Sequence, residues 1–368
     1  MKTIVFLCAF PKPLHGMSAM NQHMLNHVRS QGRCRIRTFD LAPSFAAGWF
    51  PGQRWLIAKF LHYLFLLLRF SLYSLFRAPS KPSLYFSISG GRGKWFEIPF
   101  LAVAHLCYRE VYIHHHSFAY CNKTHLSMAL ASRVCPNQTV HIALSEHMKS
   151  SLVERYGIPP DRVLILSNVA LCEKFPSAGR REGLHTLGFF GNISPEKGIH
   201  EFLETYRTLI ASDPQLRAII GGPCLTPEVS HLISTATTQY PLLEYRGPVY
   251  GPDKERFFSE IDVLLFPSKH TDEAEPVTLY EAISSGVPII AWDQGCIREI
   301  LAHGFGETVE PAADFPKAAT QFVQTWRSDG VSFERLRQQL IVNFSRLLLE
   351  QQAALAMFVA TLLSEPFP

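Results

Sequence analysis

The sequence predicts an α/β chain of two doubly wound domains, each a parallel sheet wrapped by helices, and three observations carry that reading. The chain has 368 residues, more than one hydrophobic core usually serves, since single cores stop growing near ~250 to 300 residues. With 47% apolar and 18% charged residues it is globular rather than disordered. Short β-rich runs alternate with helical stretches, and the whole alternation occurs twice.

Taken in order, "MKTIVFLCAFPKP" is too short for a signal peptide with a cleavage site and reads as a first buried strand. The runs "CRIRTFDL", "SLYFSIS", "EVYIHHH", "TVHIALS" and "RVLILSN" continue the first sheet. The polar stretch "CEKFPSAGRREG", residues 172–183, is a predicted linker. "HTLGFFG", "LRAIIGG", "LEYRGPV", "DVLLFPS" and "VPIIAW" then build a second sheet. From about Phe333 to Leu363 two helices are expected with no strand between them. The expected boundaries are 1–170 for the first domain and 171–345 for the second, with a C-terminal helix, 346–368, packing back toward the first. Open sheets of this kind bind ligands at the carboxyl ends of their strands, so two facing domains imply a central cleft.

The net charge of +4 conceals a larger asymmetry. Residues 1–170 hold 19 Lys and Arg against 6 Asp and Glu, and residues 171–368 hold 16 against 25, so the halves carry +13 and −9. A basic half attracts anionic surfaces such as headgroups and phosphates. Nucleic acid is disfavoured, because the cations are spread among apolar runs and no binding-module signature occurs. The eight cysteines form no CxxC pair, which fits reduced thiols in a cytosolic-type compartment. Sequons begin at Asn122, Asn137 and Asn343, but without a secretory signal they are read as chance.

Between "VLLFPS" and "GVPIIAW" the stretch "HTDEAEPVTLYEAISS" places Asp272, Glu273 and Glu275 before a helix and Glu281 within it. Pro276, with its φ preset and no N–H to lose, suits the first helical position. The amides of Val277, Thr278 and Leu279 then point out of the helix start, toward an anion such as a phosphate. Glu281, a turn further on, can accept hydrogen bonds from sugar hydroxyls, and Glu273 sits in the strand-end loop. Acids that only complement the helix dipole would give the same pattern.

These residues resemble a known family. "EAEPVTLYEA", with Glu273 and Glu281 separated by seven residues, is similar to the E-x7-E element of retaining GT-B glycosyltransferases of family 4. "GFFGNISPEKGIHEFLE" resembles the start of that family's donor domain, with Lys197 as its phosphate-binding lysine. "IALSEHMKSSLVERYGIPPDRVLILSNVA" is similar to the segment leading to the interdomain Asn168. "FPKPLHGMSAMNQHML" looks like the first loop, where Gly16 lets backbone approach the donor phosphates. "YIHHHSFAY" is similar to the histidine-bearing strand end that borders the donor sugar. The segments occur in the family's order and span most of the chain. One departure is Asn192, which stands where many members have an arginine that shares the diphosphate with the lysine, and this leaves Lys197 and helix amides to grip it.

Because alternate strand residues share a face, His114 and His116 point together and His115 opposes them. The resemblance maps the family's histidine to His116, with His114 second; histidines that only satisfy backbone groups at a strand end are the other reading. No metal site is expected, since the chain has no D-x-D and a triplet in one strand cannot surround an ion. No cofactor is expected either; a UDP- or GDP-sugar would be the co-substrate.

In "RWLIAKFLHYLFLLLRFSLYSLFR", Arg54 to Arg77, the side chains of Lys59, His62, Arg69, Tyr73 and Arg77 fall within about 80° on a helical wheel, leaving a broad apolar surface. The expectation is a helix at the membrane surface or a lipid acceptor, with Arg69 and Arg77 among the cations that meet phosphates. A packed helix is the other reading, and a span is disfavoured by the interior charges. "SISGGRGKW" lacks the G-x-G-x-x-G spacing and reads as a loop beside the acceptor site.

The resemblance implies a retaining, metal-independent hexosyltransferase that moves a sugar from a nucleotide diphosphate sugar to a glycan or polyprenyl-linked acceptor in cell-surface polysaccharide synthesis. It would work in the cytoplasm at the inner face of the membrane, in peripheral contact with anionic lipid. Catalytic roles fall to His116 and Glu273, and donor binding to Gly16, Asn192, Lys197, Val277, Thr278, Leu279 and Glu281. A nucleotide-sugar epimerase and a catalytically silent binding protein of the same fold stay open.

Overall fold

A computed structural model describes residues 2–364 apart from 12–15, 50–51, 81, 136–137, 173 and 176–181. Asn137 and much of the expected linker therefore lie outside the described residues. The chain divides into two compact units, Met1–Leu171 with Glu350–Pro368, and Cys172–Leu349.

The first unit holds β1 (Thr3–Cys8), β2 (Arg35–Asp40), β3 (Ser83–Ile88), β4 (Glu110–His115), β5 (Val140–Ala143) and β6 (Val163–Ile165). They form one parallel sheet in the order β2-β1-β3-β4-β5-β6. The second unit holds β7 (Thr186–Phe190), β8 (Arg217–Gly221), β9 (Leu243–Tyr245), β10 (Val263–Phe266), β11 (Ile289–Trp292) and β12 (Gly306–Val309). These are also all parallel, in the order β12-β11-β10-β7-β8-β9. Strands buried on both faces need continuous apolar runs, which is why "IVFL" of β1 and "VLLF" of β10 show no polar alternation.

Strand β12, "GETV", is absent from the sequence reading. It is an edge strand whose Glu307 and Thr308 are only partly covered, so it lacks the apolar run that marks the inner strands. The two expected C-terminal helices are one helix, Gly330–Leu363. After Gly330 this stretch contains no Gly or Pro to break it. Residues up to Leu349 belong to the second unit and those from Glu350 to the first. Within the first unit Leu355, Phe358, Val359 and Leu362 are buried, and Phe358 meets the rings of Tyr85 and Tyr112 edgewise or tilted at 6.4 and 5.5 Å.

The helix Gln53–Arg77 is packed along one side and open along the rest. Its buried residues are Ala58, Tyr63, Leu66, Phe70 and Ser74. The supposed cationic face lies largely beside that packed side: Lys59 sits over the Trp55 and Tyr63 rings, and His62 Nε2 is 2.9 Å from the Asp40 carbonyl oxygen. Tyr73 is likewise half-buried, whereas Arg69 and Arg77 are exposed. Aromatic packing of Phe70 against Phe39, Phe100 and Tyr108 decides which side turns inward.

In the second unit buried Asp262 accepts from the amides of His185 and Thr186, each at 2.9 Å, and so pins the entry to β7 beside the entry to β10. Asp262→Ala should cost about 2 to 4 kcal/mol, because two amides lose a charged acceptor. Urea unfolding of the purified chain checks this, with Asp262→Asn as the milder comparison.

Candidate functional site

In the second sheet the chain runs from β7 outward to β8 and β9, then returns to β10 and proceeds the other way through β11 and β12. The direction reverses between β7 and β10, and ligands of such sheets bind where the loops beyond that point diverge. The loop after β7 carries Lys197 and the loop after β10 carries Glu273. Their side chains form an ion pair, Nζ to Oε1, and the Ser268 hydroxyl reaches the same carboxylate oxygen at 3.3 Å. Lys197 is 27% exposed and Glu273 14%, so both are screened yet reachable.

Two glycines permit this approach. Gly198 has φ +83°, and a Cβ there would lie 2.0 Å from the Pro267 carbonyl oxygen. Gly295 has φ +58°, and a Cβ would lie 2.2 Å from the Glu273 carbonyl oxygen. Neither position admits another residue without moving the loop that carries Lys197 or Glu273.

The remaining acids have separate roles. Glu275 is buried and accepts the Tyr280 hydroxyl at 2.5 Å, which explains it structurally. Glu281 is buried, and Lys254 Nζ lies 2.5 Å from its Oε1. Lys254 was missed by the sequence reading; it stands in the helix Pro252–Glu260 that follows β9, and its Nζ lies 5.2 Å from the centre of the Phe190 ring. Its only sequence signal is position, a cation in the first turn of a helix that opens from a strand's carboxyl end.

The expected helix start is displaced by one residue. The helix is Val277–Ser284, and Pro276 is its N-cap rather than its first residue. The Leu279 amide donates to the Pro276 carbonyl at 3.1 Å, so it is not available to an anion. This leaves Val277 and Thr278 for the expected role. Asn192 is exposed beside Ile193, which bridges to Cys224. In the first unit Gly16 opens the helix Gly16–Ser30 and is exposed, while most of the loop before it lies outside the described residues. Asn168 is buried at the start of a 3-10 turn.

The three histidines of the first unit divide as their alternation requires. The rings of His114 and His116 lie 4.0 Å apart by centroid. His114 is fully buried with Nδ1 2.5 Å from the Tyr85 hydroxyl, so it supports the half-buried His116 ring and is not itself placed to meet a ligand. His115 faces the other way, with Nδ1 and Nε2 each at 2.9 Å from the Tyr120 hydroxyl and from His141 Nδ1. Two imidazoles joined in this way need one donor and one acceptor nitrogen, so they cannot both be protonated. Burial accordingly pushes His114 and His115 well below the usual imidazole range and His141 down to about 4. The nearby "SISGGRGKW" loop is held from within by fully buried Lys94, whose Nζ donates to the carbonyls of Ser89, Gly90 and Gly91. Among the described residues no three His, Cys, Asp or Glu side chains converge as a metal site.

Residues 173–342, nearly all of the second unit, match the family described as glycosyl transferases group 1. The second unit is a group 1 glycosyltransferase domain. The chain is 28% identical over 121 residues to a GDP-mannose-dependent alpha-mannosyltransferase of Mycolicibacterium smegmatis, which covers 33% of this chain and 29% of that protein. It is 24% identical over 217 residues to the capsular polysaccharide biosynthesis glycosyltransferase CapM of Staphylococcus aureus, covering 54% of each. The chain thus spans about half or less of the length of these relatives. The solved structure of HepE from Anabaena in complex with UDP superposes with a TM-score of 0.70 over 98% of this chain and 100% of that one, at 15% identity. The fold is therefore GT-B, two Rossmann-like units with parallel sheets.

Two outcomes test the packing around these sites. Lys254→Met removes the cation beside Glu281 and should destabilise the second unit by about 1 to 3 kcal/mol, and adding Glu281→Gln should recover most of that loss; denaturant midpoints report both. His141 is held neutral when folded and titrates near ~6.5 when unfolded. Its contribution is present above that value and is lost as pH falls toward about 4. His141→Gln should flatten this limb by roughly 2 to 3 kcal/mol in stability measured from pH 7 to pH 4.

Proposed function

We propose that the chain is a retaining glycosyltransferase that moves a sugar from a UDP- or GDP-sugar to a glycan or polyprenyl-linked acceptor in cell-surface polysaccharide synthesis. It would act at the inner face of the cytoplasmic membrane, in peripheral contact with anionic lipid. The observation that carries the reading is the Lys197–Glu273 ion pair at the reversal point of the second sheet.

A cation paired to a carboxylate at a ligand edge can exchange that partner for a better one. A diphosphate offers Lys197 more negative charge and more acceptor oxygens than one carboxylate does. As Lys197 turns to the diphosphate, Glu273 is released to accept hydrogen bonds from the sugar hydroxyls. The amides of Val277 and Thr278 add to the phosphate grip, and Glu281, oriented by Lys254, takes the ribose hydroxyls. As the sugar–phosphate bond breaks, charge builds on the leaving diphosphate and on an oxocarbenium-like sugar. Lys197 stabilises the first; the acceptor oxygen bonds to the second from the face the diphosphate leaves, and its proton passes to the departing phosphate oxygen. In the first unit His116, half-buried just beyond the end of β4, is the imidazole assigned to a substrate hydroxyl. GDP-mannose-dependent relatives and a UDP-bound structural neighbour support a nucleotide diphosphate sugar as donor.

Calorimetric titration with UDP and GDP, alongside mass-spectrometric assay of transfer or hydrolysis of the sugar nucleotides, tests this. Lys197→Ala should weaken diphosphate binding about 10- to 150-fold, the equivalent of about 1.5 to 3 kcal/mol for a charge-assisted contact. Glu273→Gln, which frees Lys197, should bind the diphosphate as tightly as the wild type or more tightly and yet lose turnover. Unchanged binding in Lys197→Ala overturns the donor site. Tight binding with no turnover of any sugar nucleotide would support a silent binding protein instead, for which the uncharged Asn192 is the favouring feature.

A further inference from the structure

The helix Gln53–Arg77 leaves ten large apolar side chains exposed. Six of them, Ile57, Leu61, Leu64, Leu68, Leu72 and Leu75, fall within about 80° of one another on the helical wheel. From Ile57 to Leu75 they form a ridge about 27 Å long at the α-helical rise. Exposed apolar ridges of this length mark interaction surfaces rather than ordinary solvent faces. The opposite side of the same helix is packed on its own unit through Tyr63, Leu66, Phe70 and Ser74, so the helix cannot leave to cross a bilayer without stripping that core.

The charges around the ridge select its occupant. From Leu41 to Arg109 the sequence has a single acid, Glu97, and that side chain is buried. Arg54, Arg69 and Arg77 are exposed on the same helix, and the Arg69 guanidinium lies 5.6 Å from the Phe65 ring centre, at the margin of the apolar face. A second copy docked ridge to ridge would bring Arg54 and Arg69 of both copies to the margins of one seam with no exposed carboxylate from this stretch to answer them. Anionic headgroups would neutralise them while the acyl region takes the leucines.

We infer that this helix lies in the plane of an anionic bilayer surface with its leucine ridge inserted among the acyl chains, its arginines reaching outward to the headgroups. This deepens the membrane contact proposed above, on which it rests, and is independent of the donor chemistry. The contact is therefore chiefly apolar and largely resistant to salt, since only the arginine share is screened.

The test uses the full chain and vesicles of phosphatidylcholine with one part in three phosphatidylglycerol, read by flotation at low salt and at high salt. Wild type should float in both conditions. Leu64→Asp with Leu68→Asp should lower the bound fraction at least tenfold at either salt, whereas Arg69→Glu with Arg77→Glu should weaken binding only at low salt. Circular dichroism checks that the aspartate variant is folded. Quenching of a Leu68→Trp variant by brominated lipid, measured against the wild-type background, reads insertion without relying on a loss. Binding abolished by salt, or undiminished in the aspartate variant, overturns the insertion while leaving a membrane contact standing. No binding by the wild type overturns both. A wild-type dimer in light scattering that becomes monomeric in the aspartate variant, without vesicle binding, assigns the ridge to a second copy and overturns the proposal.

Discussion

Among the described residues every strand pairing in both units is parallel, and this constraint governs the rest of the molecule. A parallel neighbour can be reached only by a crossover, so helices cover both faces and the strand-to-helix loops gather along one edge of each sheet. The chain must reverse its direction of travel somewhere along that edge. In the second unit the reversal parts the loops after β7 and β10, and there Lys197 meets Glu273 across a separation of 76 residues. Gly198 and Gly295 let the surrounding backbone close around that meeting point.

Among the described residues eleven of the twelve strands were legible in the sequence, the inner ones because burial on both faces makes a strand apolar throughout. The twelfth, at an edge, carries Glu307 and Thr308 and lacks that mark. The acids before and within the helix Val277–Ser284 were also legible as a cluster, but their partners were not. Local spacing puts Glu281 one turn into the helix; it cannot say that Lys254, 27 residues earlier, is brought to it by a different strand. The same limit applied to His115, whose alternation from His114 could be read directly while its contact with His141 depended on the pairing of β4 with β5. Pro276 shows a finer limit: N-cap and first helical residue differ by one position and by the ψ angle of a single residue.

The first unit distributes its polar groups against the usual rule. Lys94, Glu97, His114, His115 and His141 are all buried, while leucines and phenylalanines of the helix Gln53–Arg77 are exposed. Each buried group is bought with a specific partner: Lys94 with loop carbonyls, Glu97 with Ser89, the histidines with tyrosines or with one another. Such networks stiffen the loops that follow β3 and β4, the edge where a parallel sheet presents its ligands. The wheel of the helix Gln53–Arg77 disclosed two unlike sides; only the aromatic neighbours Phe39, Phe100 and Tyr108 determine which of them is turned inward.

The single helix Gly330–Leu363 has a consequence for biosynthesis. The first unit needs residues 350–363, whose Leu355, Phe358 and Leu362 fill part of its core, and these are translated only after the whole of the second unit. The ribosome therefore releases a contiguous second unit that can consolidate early, while the earlier-made sheet waits with an open seam beside Tyr85 and Tyr112. Vectorial synthesis ordinarily favours the amino-terminal domain. Here the order of completion is inverted, and the half of the chain with the greatest exposed apolar surface is the last to close.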